Sequence, residues 1–197
     1  MNQTAEPQLA PPGAGLPKVE LFIARRLFAL SRLRGNRDSF NADFQREREA
    51  IRALIRPHDD TARAKRVLIA RVPGLEDSSR YWSVWMTLEH LRLIHTGLNG
   101  VIGSLAKEIT PPGHQASTAA VKPSPGVTAA AVAEYEKSCD DLLATIAAIP
   151  NLKTRARFPH PWFGPLDAAG WHAMAATHLS IHRKQIERIL QGLDAAK

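Results

Sequence analysis

An all-α bundle is the fold class this chain predicts, and three observations carry it. Apolar residues recur at intervals of three and four along several long stretches, the spacing of a helix face. Aromatics make up only 6% of the chain, and the Val/Ile/Thr alternation of strands is nearly absent. Proline and glycine fall between those stretches, where helices must stop. With 197 residues the chain is long enough to bury a real core as one domain.

The elements follow in order. Residues 1–17, rich in Pro, Gly, Ala and Gln, predict a disordered tail, and residues 18–193 the bundle domain. Leu21, Ile23, Ala24, Leu27, Phe28, Leu30 and Leu33 form a broad apolar face, broken at Arg34-Gly35-Asn36. A second segment from Ser39 carries Phe40, Phe44, Ile51, Leu54 and Ile55 and ends at Pro57. Residues 58–79 are mixed: a short helix near Asp60–Arg66, an exposed apolar strip Val67–Ala70, then the turn Pro73-Gly74. From Tyr81 to about Lys107 the pattern is apolar nearly all round, which places that helix mid-bundle. Asp77, Ser78 or Ser79 is expected to cap it, and Gly97, Gly100 and Gly103 to allow close helix packing. Residues 110–127 form a proline-rich linker. Eighteen extended residues reach up to ~60 Å, against ~40 Å for a 27-residue helix, so this linker can run back along the bundle as a crossover. A further helix spans about Thr128–Ala148, and Pro150 stops it. An aromatic loop, Arg157 to Leu166, leads to the last helix, capped by Asp167 and expected to stop at Gly192.

The net charge of +7 concentrates between Lys18 and Arg80. Interspersed acids, and no recognised DNA- or RNA-binding motif, make a solvated face the favoured reading over a nucleic-acid footprint. No apolar run is long enough to span a bilayer, and no membrane partner is expected. Cys139 is the one cysteine, so no internal disulfide forms. The N-terminus lacks the features of a signal peptide, and a cytoplasmic location is expected.

The chemistry concentrates on three histidines. His178 and His182 lie at i and i+4 and share one face of the last helix. The apolar members Trp171, Met174, Ile181 and Ile189 trace the inward stripe, and His178, His182 and Gln185 lie on it as polar residues facing a core. Such a pair is a common accident among eight histidines. His90 adds weight, because it sits in the most apolar helix. His95 is its rival there, about 140° around the axis, so both cannot face one point. His172 falls on the opposite side of the last helix from His178, His160 in a loop, and His58 and His114 on the surface or in the linker. Three imidazoles converging inside a bundle would make a metal site with an open position, the arrangement that does chemistry.

The segment Trp82-Ser83-Val84-Trp85-Met86-Thr87-Leu88-Glu89-His90-Leu91 resembles the "W-S-x…E-H-L" stretch of the DinB/YfiT-like superfamily. His160-Pro161-Trp162-Phe163-Gly164-Pro165-Leu166, followed by Trp171, His178, His182 and Gln185, is similar to that superfamily's C-terminal signature. The likeness covers about residues 80–193. The first helical region fits in kind only, and residues 1–17 and 58–72 are not covered. The resemblance implies a four-helix bundle of up-down-down-up topology, with the long crossover between helices 2 and 3. It also implies one divalent metal ion (Zn, Ni or Fe) on His90, His178 and His182, which chooses His90 over His95.

Members of this superfamily include thiol-dependent S-transferases and isomerases and metal-dependent hydrolases. The resemblance therefore implies a metal-dependent enzyme acting on a small-molecule substrate, with a low-molecular-weight thiol as the candidate co-substrate. Gln185 and Glu89 are the candidates to support the metal ligands, and Trp82, Trp85, Trp162 and Trp171 to shape a pocket or pack the core. The rival reading is a non-catalytic metal-binding or stress-related interaction protein. The strip Val67–Ala70 is the candidate dimer contact.

Overall fold

The computed structural model describes residues 6–195, and residues 1–5 of the expected tail lie outside them. Six α-helices are formed among the described residues: α1 (Lys18–Arg34), α2 (Arg37–Ile55), α3 (Asp60–Ala64), α4 (Val84–Ala106), α5 (Ala130–Ala148) and α6 (Ala168–Asp194). Two small antiparallel ribbons accompany them, β1 (Val67–Leu68) with β2 (Tyr81–Trp82) and β3 (Phe158–His160) with β4 (Gly164–Leu166). Helices α2, α4, α5 and α6 make the bundle.

Side-chain contacts fix the directions of these four. Arg37 reaches the carbonyl of Ile149 at the end of α5, while Arg48 and Arg52 reach Glu136 near its start, so α2 and α5 are antiparallel. Asn41 meets His172 and Glu47 meets Arg183, so α2 and α6 run together. Arg92 pairs with Glu134 and His95 with Ser138, so α4 and α5 also run together. The order is therefore up-down-down-up, and the crossover between α4 and α5 is the segment the proline-rich composition marked out. Extended residues there and a single 3-10 turn at Ala119–Val121 let it return along the bundle.

The core forms where the helical periodicity put it. Phe44, Ile51, Leu88, Leu91, Ile102, Leu142, Ile146, Leu179 and Ile186 are all at most 2% exposed, and burying each such side chain stabilises by about 1.5–3 kcal/mol. Arg48 is also buried, and its guanidinium donates to Glu136 Oε2 and Asp140 Oδ1, each at 2.7 Å, locking α2 to α5. Arg32, Arg46, Arg52, Arg63, Arg66 and Arg71 are likewise paired with acids.

Several boundaries differ from the sequence reading. Tyr81-Trp82 pairs with Val67-Leu68 as a ribbon, so α4 starts later, and its cap is Ser83, whose hydroxyl accepts from Met86 N–H, rather than Asp77, Ser78 or Ser79. Within the strip Val67–Ala70, Ile69 is buried and Val67 half-buried, while Leu68 and Ala70 are exposed. A Cβ at Gly97, Gly100 or Gly103 would meet nothing within 4 Å, so these glycines do not mark close helix packing. Gly192 marks a close approach of helix to strand: it lies inside α6, which continues past it, and a Cβ there would come within 2.7 Å of Val67 Cγ1 in β1. From Glu6 on, the N-terminal segment has no helix or strand but is tied down. Ala10 N–H donates to Asp77 Oδ2 at 2.8 Å, and Glu6 pairs with Arg66 at 2.7 Å. Among the described residues no helix is long and apolar enough to cross a membrane.

Candidate metal centre

His90 lies two turns into α4, and His178 and His182 lie mid-way along α6, which runs antiparallel to α4. The i, i+4 spacing aims both α6 rings at the α4 face that carries His90. His178 Nε2 lies 3.4 Å from His90 Nε2 and 3.3 Å from His182 Nε2. Among the described residues these three are the one group of ligand side chains whose donor atoms gather within 4.8 Å of one another. His95 is on α4 but not in this group; it is buried between α4 and α5 against Ser138 Oγ at 2.9 Å.

The outer nitrogens decide what the inner ones can do. His90 Nδ1 contacts the Val121 carbonyl at 2.7 Å. A carbonyl only accepts, so His90 carries its proton on Nδ1 and leaves the Nε2 lone pair free. Gln185 orients His182 in the same way. Its Nε2 donates to Ser79 O at 2.7 Å, which turns Oε1 to accept from His182 Nδ1–H at 2.6 Å. His182 Nε2 therefore also presents a lone pair. Two lone pairs face His178 Nε2, which can donate to only one of them, and His178 Nδ1 has no partner among the described residues. A cation among the three Nε2 atoms satisfies all of them. Zinc–imidazole bonds of about 2.0–2.1 Å at a tetrahedral angle would space the nitrogens by about 3.3–3.4 Å; both separations to His178 Nε2 match that spacing, and all three nitrogens lie within 4.8 Å of one another. The donor set thus fits a divalent ion.

Electrostatics favour the same state. Burial pushes the His90 imidazole down to about 4, and the nearby Lys122 charge adds to this. Burial, then the neighbouring imidazoles, holds His178 and His182 well below the usual histidine range. The rings are therefore neutral near pH 7, the form that ligates metals. Trp82 packs the centre from behind, its ring stacked on His182 at 6.2 Å with planes 8° apart.

The three histidines open on a cleft of about 300 Å3. Its walls are Ile94, Leu98 and Val101 of α4, Trp171 and Met174 of α6, and Phe158 and Trp162 of the ribbon region, with Ala116–Lys122 of the crossover on the remaining side. Trp162 and Trp171 thus line the cleft, whereas Trp85 packs against the core. Lys122 is drawn in over Trp82, and its Nζ donates to Ser78 Oγ at 2.7 Å and Ser79 Oγ at 2.8 Å. Its burial lowers the ammonium pKa. His160 also lines the cleft; Trp162 N–H donates to its Nδ1 at 3.1 Å, so the neutral ring carries its proton on Nε2.

Of the two residues expected to support the ligands, Gln185 is in place and Glu89 is not. Glu89 precedes His90 by one residue, about 100° around the helix, and its carboxylate is held by Arg92 at 2.7 Å through both oxygens. The sequence reading missed Val121, Lys122 and Ser79. Two of these act through a backbone carbonyl, which leaves no mark on side-chain chemistry, and all three lie outside the long helices.

Comparison with known proteins agrees with this architecture. Residues 43–186 match the sequence profile of the DinB superfamily, a span that includes all three histidines and Gln185. The solved structure of TT2238, described as a four-helix bundle protein, superposes with a TM-score of 0.54 at 23% sequence identity, covering 76% of this chain and 97% of that one. That likeness shows the fold. No curated protein matches the chain.

Proposed function

The chain belongs to the DinB superfamily, and on that premise we propose that it is a divalent-metal-dependent enzyme, a thiol-dependent S-transferase or a hydrolase. The observation that carries this reading is the tautomer pattern: Val121 and Gln185 hold His90 and His182 so that their lone pairs meet at His178. Three neutral protein ligands leave coordination positions free, unlike a structural zinc site closed by four. A zinc, nickel or iron ion held there acts as a Lewis acid and brings the pKa of a thiol or of water toward neutrality.

The remaining roles fall to the chain itself. The apolar walls exclude water and seat an apolar substrate body beside the three nitrogens. His160 offers Nε2–H, a donor with no partner among the described residues, to an oxygen that gains negative charge during attack. Lys122 sits at the edge of the cleft paired with Glu76 at 3.5 Å, so the two charges offset each other there. S-transfer and hydrolysis differ in what the cleft admits beside the imidazoles.

The test is a screen of metal-loaded protein against low-molecular-weight thiols with aryl-halide and epoxide electrophiles, and against simple esters and amides. Turnover that stops with chelator, returns with Zn, Ni or Fe, and is absent in His178→Ala supports the proposal. Loaded protein that turns over none of these, and binds none of the thiols, supports the non-catalytic reading instead.

A further inference from the structure

Helix α1 lies before the family match, which begins at residue 43, and its outer face is unlike the rest of the surface. The inner face is anchored. Phe28 packs against Phe163 with centroids 4.6 Å apart and rings tilted by 43°, Arg25 Nε donates to the Trp162 carbonyl at 2.6 Å, and Arg32 pairs with Asp167 at 2.9 Å. The outer face carries Val19, Phe22, Ile23, Leu27, Leu30 and Leu33, exposed by 74, 59, 50, 62, 40 and 83%. At 100° per residue these six occupy one continuous arc of about 140° along the whole helix. An apolar stripe of this extent marks a site of interaction.

Charge identifies what covers it. Lys18, Arg26 and Arg34 are exposed on α1. The helix's one acid, Glu20, is turned away to Arg71 and to Gly74 N–H. Two copies of this stripe face to face would oppose cation to cation. Elsewhere among the described residues the large exposed apolar side chains are only Leu68 and Ile109, so a second copy offers no other apolar face to receive it. The occupant must be apolar and anionic together. The stripe is also convex, a single helix lying on the surface, which suits a flat partner better than a groove. Arg26 lies within the stripe with its guanidinium 5.1 Å from the Phe22 ring centroid, placed to extend past the apolar side chains toward phosphate.

We propose that α1 docks the protein on an anionic phospholipid surface, the six apolar side chains entering the headgroup boundary and Lys18, Arg26 and Arg34 pairing with lipid phosphates. The earlier expectation of no membrane partner rested on the lack of a spanning helix, which an interfacial helix does not need.

The experiment is co-sedimentation of the full chain with vesicles of phosphatidylcholine alone and of equimolar phosphatidylcholine and phosphatidylglycerol, at low and high salt. Leu27→Glu/Leu30→Glu and Arg26→Glu variants run beside the wild type, with light scattering on every sample without lipid. These side chains face outward, so circular dichroism and Tm of the variants should match wild type. Partition onto anionic vesicles is expected to exceed that onto neutral ones at least about tenfold, to weaken at high salt, and to fall at least about tenfold in both variants. Wild type that stays in the supernatant with both vesicles overturns the proposal. So does binding undiminished by the variants, or a dimer that the Leu27→Glu/Leu30→Glu pair dissolves, which would mean that a second copy covers the stripe.

Discussion

Replacing Gln185 with leucine separates the orienting contact from the ligands themselves. Gln185 is fully buried and makes two hydrogen bonds, accepting from His182 Nδ1–H at 2.6 Å and donating to Ser79 O at 2.7 Å. Leucine leaves both groups without a partner, at about 1–3 kcal/mol each, offset by about 1–2 kcal/mol from added apolar burial. The metal-free variant should be less stable by up to about 5 kcal/mol, with a midpoint of about 2–3 kcal/mol that lowers Tm by about 4–12 °C for a domain of this size. His182 is also freed to carry its proton on Nε2, where the lone pair was. Loss of such a contact typically weakens metal affinity about 10–100-fold, or about 1.4–2.7 kcal/mol. Gln185→Glu distinguishes the two effects. It keeps the acceptor for His182 but sets a carboxylate against the Ser79 carbonyl, so it should lose stability while keeping metal affinity. Competition titration against a chromophoric chelator, with thermal unfolding of the same metal-free samples, measures both. Wild-type metal affinity in Gln185→Leu would refute the orienting role of this residue.

Other outcomes follow from the same structure. Burial holds His95 at about 3 and His172 at about 4, against 6.5 for the free side chain, so both are neutral in the fold. Below pH 6.5 the unfolded chain takes up protons that these buried rings refuse. Stability is therefore full above that pH and falls as pH drops toward 4, by up to about 1.4 kcal/mol per pH unit for each ring; urea titrations of metal-free protein between pH 7 and 4 read it as a falling midpoint. Arg48→Ala removes the buried guanidinium from Glu136 and Asp140; Glu136 keeps Arg52 and Asp140 is largely exposed, so the loss of packing and hydrogen bonds should cost about 1–3 kcal/mol, measured by denaturant unfolding. Two glycines should respond with opposite sign. Gly100→Ala meets open space and should stabilise by up to about 1 kcal/mol, whereas Gly192→Ala collides with Val67 and should destabilise by about 1–3 kcal/mol, both by thermal unfolding.

The helices were legible because their faces are written in apolar spacing, and so was the pairing of His178 with His182, which needs only the helical repeat. His90 was legible as a polar residue in the most apolar helix, and Gln185 as the next member of the α6 stripe. Glu89 failed for a reason the repeat already contained: the neighbour of an inward residue is turned about 100° away. The start of α4 was misread because two apolar residues, Tyr81 and Trp82, fit a helix pattern as well as a short strand, and only pairing with Val67-Leu68 decides between them. The crossover was legible as a connection but not as a wall of the cleft. Its contribution to His90 is a backbone carbonyl, and any residue at position 121 would carry one.

Elemental analysis of untagged protein, beside His90→Ala, His178→Ala and His182→Ala, addresses the metal centre most directly. One equivalent of zinc, nickel or iron per chain in the wild type, and its loss from all three variants while their helical content is kept, is the predicted result. Metal-free wild type that also fails to bind added zinc, nickel or iron at micromolar concentration would contradict it, and would leave three clustered imidazoles with no ion to satisfy them.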